Sequence, residues 1–363
     1  MKILMLVNWK IKYCDSKPHN MQPPDYNVRN EQYWFFRYFK DKPEVDVIDI
    51  SSFSWLENFE KNRLHFYIWQ ALKAIPKLNK YDLIISHGMP SAVVICLWRR
   101  LKKTKAKHIV FDIGSFASAS ESGFALKLMQ FASKSLDGLI YHMSSQRKYY
   151  EKFFPWIVDK SKFIRYGVDF EFFGIKEKKN VEKSYIVCAG KNKCDWNTVV
   201  KAYEKSNVDM ELHLIGGKES CFENVTGVIQ IPYLPIYDFI AQVQGAEFCI
   251  LPLEPVPFSF GQMRLLQQMA LKKCVIVSNA PSILDYVQDD YTALVYTAFD
   301  VESLKEKINY ITNNEMIKNQ ISEKAYEFVK QECNERNMAE KIENYFSEVL
   351  GDYLCEKNKK GKI

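Results

Sequence analysis

The chain has 363 residues, of which 47% are hydrophobic and 26% charged, a globular balance that excludes global disorder and, at this length, favours two domains over a single core. The net charge of +6 is modest. With no zinc-ligand spacing, RNP-like aromatic motif or basic helix-turn-helix beside it, nucleic acid is excluded as the expected partner. No apolar run approaches the ~20 residues needed to span a bilayer.

The opening MKILMLV reads as a first strand that runs straight into Asn8, Trp9 and Lys10, too short an apolar stretch for a signal sequence. Nine cysteines are scattered without a C-x-x-C pair, several of them inside apolar strand-like runs, which suits reduced, buried thiols. A cytoplasmic location is therefore expected, with any membrane contact peripheral. Twenty-four Phe, twenty-one Tyr and seven Trp mostly fill cores, although any of them can stack on a sugar or a base.

Short apolar runs at 3–7, 45–50, 83–86, 109–113, 138–142 and 162–165 predict strands. Helical patterns at 30–39, 64–75, 92–102, 124–134 and 144–154 separate them. This alternation predicts a doubly wound parallel sheet, whose ligands bind beyond the C-terminal strand ends. After the first strand comes a polar loop, 8–27, with Pro18, Pro23 and Pro24; a loop of that length at a strand end is expected to be functional. After the third strand come Ser86, His87 and Gly88, and after the fourth Asp112, Ile113, Gly114 and Ser115. The basic run WRRLKKTKAKH at 98–108 reads as a solvated helix end whose dipole favours cations, or as a patch for anionic headgroups or a polyanionic acceptor through Arg99, Arg100, Lys102, Lys103, Lys105 and Lys107.

A charged run at 176–183 marks a linker, after which the alternation restarts. Strands are predicted at 185–189, 211–215, 228–231, 247–251, 274–277 and 293–296, with helices at 197–205, 236–244, 263–271, 281–287 and 301–313. An amphipathic region at 315–353 leads to a polar tail. The expected fold class is α/β, two Rossmann-like doubly wound domains facing a central cleft. The first occupies 1–166, a linker 167–183, the second 184–335, and a final helix and tail 336–363 follow, which read by themselves close the second domain.

The stretch LPLEPVPFSFGQMRLLQQMALKKCVIVS at 251–278 reads as strand end, loop, Gly-containing turn, helix and buried strand. It aims the amides of Phe260, Gly261 and Gln262 at the start of a helix whose dipole favours an anion, so a phosphate-binding turn is expected. The loop shape and the sequence Met269, Ala270, Val275, Ile276 resemble the retaining GT-B glycosyltransferases of the group 1, family 4 type. Gly167-Val168-Asp169 followed by Phe170, Phe172 and Phe173 is a second point of resemblance, and Gly190-Lys191 after the first strand of the second half is a third. Where well-known members carry two glutamates separated by seven residues, this chain has Ser259 and Gln267.

The resemblance implies transfer of a hexose from a UDP- or GDP-sugar to a glycan or lipid-linked acceptor in glycoconjugate or polysaccharide biosynthesis. It also implies that the final helix, 336–363, crosses back to the first domain and that the loop 8–27, which lacks the family's glycines, touches the acceptor. No cofactor or metal is expected. Gly190, Lys191 and Lys193, with the amides of Phe260, Gly261 and Gln262, would face the donor diphosphate. Gln267 would meet the ribose, Tyr233 and Leu234 the base, and Ser259 the sugar or acceptor. Asp112 and His87 are the candidates for acceptor orientation, and Asp112 equally suits a general base in an inverting reaction. A non-catalytic nucleotide-sugar-binding or accessory protein of the same fold is the alternative. A phosphorylase or epimerase is disfavoured, because no Lys has a setting for a pyridoxal Schiff base and no paired carboxylates can be placed.

Overall fold

The computed structural model describes residues 1–114, 116, 121–174, 183–190, 192–217, 222 and 224–360. Two six-stranded parallel sheets form its two halves. The first contains β1 (Lys2–Leu6), β4 (Glu44–Ile48), β5 (Leu83–His87), β6 (Lys107–Asp112), β7 (Gly138–Tyr141) and β8 (Ser161–Phe163), in the order β4-β1-β5-β6-β7-β8. Two short strands in the long loop, β2 (Lys12–Cys14) and β3 (Tyr26–Val28), pair with each other in parallel. The second sheet contains β9 (Tyr185–Ala189), β10 (Glu211–Ile215), β11 (Val228–Ile231), β12 (Cys249–Leu251), β13 (Val275–Ser278) and β14 (Leu294–Tyr296), in the order β11-β10-β9-β12-β13-β14. The central strands are buried along their length and apolar except at the C-terminal ends of β5, Ser86 and His87, and of β13, Ser278, as strands covered by helices on both faces must be.

Three predicted helices differ from the pattern. The aromatic run at 30–39 forms only a 3-10 turn, Trp34–Tyr38, because Trp34, Phe35 and Phe36 are all buried and no single helical face accommodates them. The stretch 281–287 stops as a 3-10 turn, Pro281–Ile283, after which Tyr286 is drawn across to the first half. The region 315–353 is two helices, Glu315–Glu332 and Glu335–Lys360. They break where Val168 N donates to Cys333 O at 2.9 Å and Glu335 N donates to Val168 O at 2.9 Å.

Past that break the chain packs on the first half. Met338, Ala339, Ile342, Tyr345 and Phe346 share one core with Phe35, Phe36, Phe39, Ile85 and Phe111. The two interdomain passages therefore run side by side, and a side chain on Gly167 would strike the Asn334 carbonyl. Arg37 spans both passages, with Nη2 2.7 Å from Asp169 and 2.8 Å from Glu335, while Trp34 Nε1 donates to Glu335 at 2.9 Å. Burial pushes the Glu335 carboxyl up to about 8 against the pull of Arg37, and Asp169 adds to the rise.

Candidate donor and acceptor cleft

The C-terminal ends of both sheets meet across the cleft. On the second-half side, β12 runs into the loop that ends at Gly261, the N-cap of the helix Gln262–Ala270. Gly261 is left-handed, with φ +85°, and a side chain there would run into Leu253, so only glycine fits this turn. Gly216, φ +81°, lies with its Cα side 2.5 Å from the Gly190 carbonyl as measured for an added Cβ, and a side chain on Gly190 would meet Cys194. Backbone rather than side chain therefore lines this wall. Tyr233, 63% exposed, stands at its edge near Gly216.

Arg264, one turn into the helix, lies 3.9 Å over the Phe239 ring and bonds Tyr233. Burial pushes its guanidinium down, and its Nη1 is buried without a hydrogen-bond partner among the described residues. Gln267 is 1% exposed; its Nε2 donates to Gln22 Oε1 at 3.3 Å, and its Oε1 is buried without a partner among the described residues. An orphaned buried polar atom costs about 1–3 kcal/mol, so a donor to Oε1 and an acceptor for Arg264 are what this wall lacks. The neighbouring Gln268 amide is also unpartnered, and no feature of the site explains it.

Beside this wall a cavity of about 220 Å³ is lined by Trp196, Leu214, Gly217, Phe222, Gln230, Ile231 and Pro232. Gln230 Nε2 is buried there without a partner among the described residues. A flat ring with an acceptor edge suits such a lining.

The facing wall is aromatic. His87 ends β5 and is 8% exposed, with Trp9 edge-on at 4.6 Å. Its Nδ1 lies 3.3 Å from Asn8 Oδ1, a partner that places the proton on Nδ1 and leaves Nε2 as the acceptor. Burial, then the neighbouring His142, holds its pKa down at about 3, so the ring is neutral. The walls touch at several points. Phe258 packs on Gly114, whose φ is +102° and where an added Cβ would lie 2.9 Å from the ring. Asp285 accepts from Ser144 N at 2.7 Å and Ser144 Oγ at 2.6 Å, and Tyr286 Oη donates to His142 O at 2.7 Å.

The other residues singled out in the sequence fall in different settings, and the expectation for Asp112 is corrected. Asp112 does not face an acceptor: it is fully buried, and its carboxylate accepts from Gly114 N at 2.9 Å, Phe116 N at 3.3 Å, Gln146 Nε2 at 3.2 Å and Tyr150 Oη at 2.6 Å. It braces the turn after β6. Leu234 is half-buried and packs against the second-half core. Gln262 turns its side chain inward to donate to Ser282 O at 2.8 Å, and Phe260 packs on the core, so each can offer only backbone. Lys193 is left-handed, φ 51°, and pairs with Glu254 at 3.5 Å. Ser259 is half-buried on the loop before Gly261. Lys191 and Ser115 lie outside the described residues, as does most of the stretch read as a linker.

The basic run is likewise not one free patch. Arg99 bonds Thr104, the Ser135 and Ala106 carbonyls and Asp137, and Lys107 pairs with Asp137 at 3.4 Å; both close the turn into β6. Arg100 lies 4.8 Å over the Phe131 ring. Lys102, Lys103 and Lys105 are exposed, at the end of the sheet away from the cleft. Arg264, Gln22 and Trp9 are the cleft residues that sequence reasoning passed over. Arg264 sat inside the recognised stretch, and its place one helical turn beyond Gly261 was the available signal.

The architecture matches known structures along nearly the whole chain. Sucrose-phosphate synthase from Thermosynechococcus elongatus superposes with a TM-score of 0.72 at 14% identity, covering 97% of this chain and 100% of that one. The fold is GT-B. Anabaena HepE in complex with UDP shares this GT-B fold with a TM-score of 0.69 at 12% identity, covering 96% of this chain and 100% of that one. The pneumococcal O-GlcNAc transferase GtfA, in complex with UDP and GlcNAc, gives 0.58 at 13% identity over 77% of this chain and 59% of that one. Residues 245–328, which carry the Gly261 turn and its helix, match the family described as Glycosyl transferases group 1. No curated protein matches the chain in sequence.

Proposed function

We propose that this chain binds a nucleoside-diphosphate sugar on the second-half wall and transfers its sugar to a glycan or lipid-linked acceptor held against the first-half wall. The observation that carries this reading is the pair of orphaned polar atoms, Gln267 Oε1 and Arg264 Nη1, on a helix that starts at a glycine-only turn. The diphosphate gains charge as the glycosidic bond breaks. The Phe260–Gln262 amides and the Arg264 guanidinium oppose that charge from fixed positions, the largest catalytic contribution such a site can make. Gln267 Oε1 accepts from a ribose hydroxyl once Gln22 withdraws, and the cavity beside Trp196 receives the base. Uracil is the first base to test, since HepE and GtfA were crystallised with UDP.

Neutral His87 accepts a hydrogen bond from the acceptor hydroxyl through Nε2 and orients it. Transfer proceeds with retention, with the departing phosphate taking the acceptor proton; positive charge comes from the chain itself, so no metal is invoked. A place in cell-surface polysaccharide or glycoconjugate synthesis belongs to the same reading.

A second reading, a nucleotide-sugar-binding or accessory protein without turnover, is favoured by one observation: Ser259 and Gln267 stand where the two motif carboxylates are expected, and Asp112 is consumed in bracing. Release of UDP or GDP from a panel of nucleotide sugars by the purified chain separates the two. Turnover of one donor that is lost in Arg264→Ala supports transfer. Tight binding with no turnover of any donor, with or without glycan acceptors, supports the second reading.

A further inference from the structure

The helix Ser54–Phe59 contains no buried residue, and it runs into a single wide turn, Glu60–Leu64. A helix this short does not hold itself together in water, and here its apolar side chains point away from the protein. Phe53, Trp55 and Phe59 are 59%, 70% and 47% exposed. Trp55 and Phe59, four residues apart, share one face.

The charges on the segment are sorted. Glu57 is tied to Lys10 at 2.9 Å, and Glu60 is buried, accepting from Trp69 N at 2.8 Å. Lys61 and Arg63 are exposed, and neither makes an ion pair among the described residues. Behind the segment, Lys73 lies 5.7 Å over the Trp69 ring, which itself contacts Phe53 at 5.5 Å. The outward surface is therefore aromatic and cationic, with its acids withdrawn.

Its place in the fold gives that surface a direction. The segment follows β4 at the end of the sheet where His87 and Asn8 stand, and the Lys10–Glu57 pair joins it to the loop whose Gln22 reaches Gln267. We propose that residues 53–64 dock on an anionic lipid surface, with Trp55 and Phe59 in the headgroup layer and Lys61 and Arg63 on lipid phosphates. The cleft mouth then opens beside the bilayer. This contact uses a different end of the domain from Lys102, Lys103 and Lys105, and it goes beyond the donor reading without depending on it.

Co-sedimentation of the full chain with vesicles of phosphatidylcholine, with and without phosphatidylglycerol, tests the proposal. The wild-type chain is expected to sediment with the mixed vesicles and far less with phosphatidylcholine alone. Trp55→Ala combined with Phe59→Ala is expected to lower the vesicle affinity by roughly tenfold or more, and Lys61→Glu with Arg63→Glu to remove its salt-sensitive part. Unchanged circular dichroism and thermal melting keep these variants interpretable. Lys102→Glu with Lys103→Glu is expected to leave binding intact. Failure of the wild type to sediment overturns the proposal, as does binding that follows Lys102 and Lys103 instead. A dimer in sedimentation velocity that disappears in Trp55→Ala, without vesicle binding, overturns it in favour of a second copy of the chain. Vesicle binding that persists while no nucleotide sugar binds leaves this inference standing and removes the donor reading.

Discussion

The two walls of the cleft are built on the same kind of sheet but present opposite chemistries. The second-half wall is backbone: Gly190, Gly216 and Gly261 leave no room for side chains, and the few polar groups that reach it, Gln267 and Arg264, have unpartnered atoms. The first-half wall is made of side chains that already satisfy one another, with Asp112 saturated, His87 on Asn8 and Trp9, and His142 Nδ1 donating to Ile164 O at 2.7 Å. One wall keeps unpartnered polar atoms among the described residues; the other is a packed floor of side chains that bond one another.

Acid should separate the walls first. His87 and His108 are held down at about 3 and His142 at about 4, each chiefly by burial, and all three lie in the first half. Their folded pKa values are depressed below the unfolded value of 6.5, so their contribution is complete above that pH and is lost as pH falls toward 4 and 3. Each withdraws ~1.4 kcal/mol per pH unit in that window. Urea unfolding at pH 7 and pH 5 is expected to show the first half losing stability ahead of the second, and equal losses in both would break the contrast.

Asp112→Ala comes next. Removing a carboxylate that accepts four hydrogen bonds in a buried turn should cost about 3–5 kcal/mol, measured by denaturant unfolding. Loss of turnover at unchanged stability would instead return Asp112 to the chemistry. Gly261→Ala, on the other wall, should cost about 1–2 kcal/mol from its left-handed backbone alone, plus the collision with Leu253. Its nucleotide affinity should fall more than its stability. The smallest effect sharpens the comparison most. Gln267→Glu replaces a neutral acceptor with a charged one, worth about 1 kcal/mol, so donor affinity should rise roughly fivefold in calorimetry.

The second-half wall was legible in the sequence because its function is written in short-range backbone chemistry. A strand, a Gly at the helix start and a following buried strand suffice to place the 251–278 turn. The first-half wall was not, because its partners are far apart in the chain. Asp112 looks like a free strand-end carboxylate until Gln146 and Tyr150 arrive from the helix after β7, Gln146–Phe153. Gln22 meets Gln267 across 245 positions of sequence, and nothing local announces it. Alternation placed both sheets, but the aromatic run at Trp34 and the break at Cys333 depended on tertiary packing that overrides helical pattern.

Calorimetric titration of UDP-glucose and of GDP- and ADP-sugars into the wild-type chain and Arg264→Ala tests the donor wall most directly. The account predicts saturable binding of at least one of them, weakened about tenfold or more in a variant whose melting is unchanged. Binding of none, or equal binding by both proteins, would contradict it.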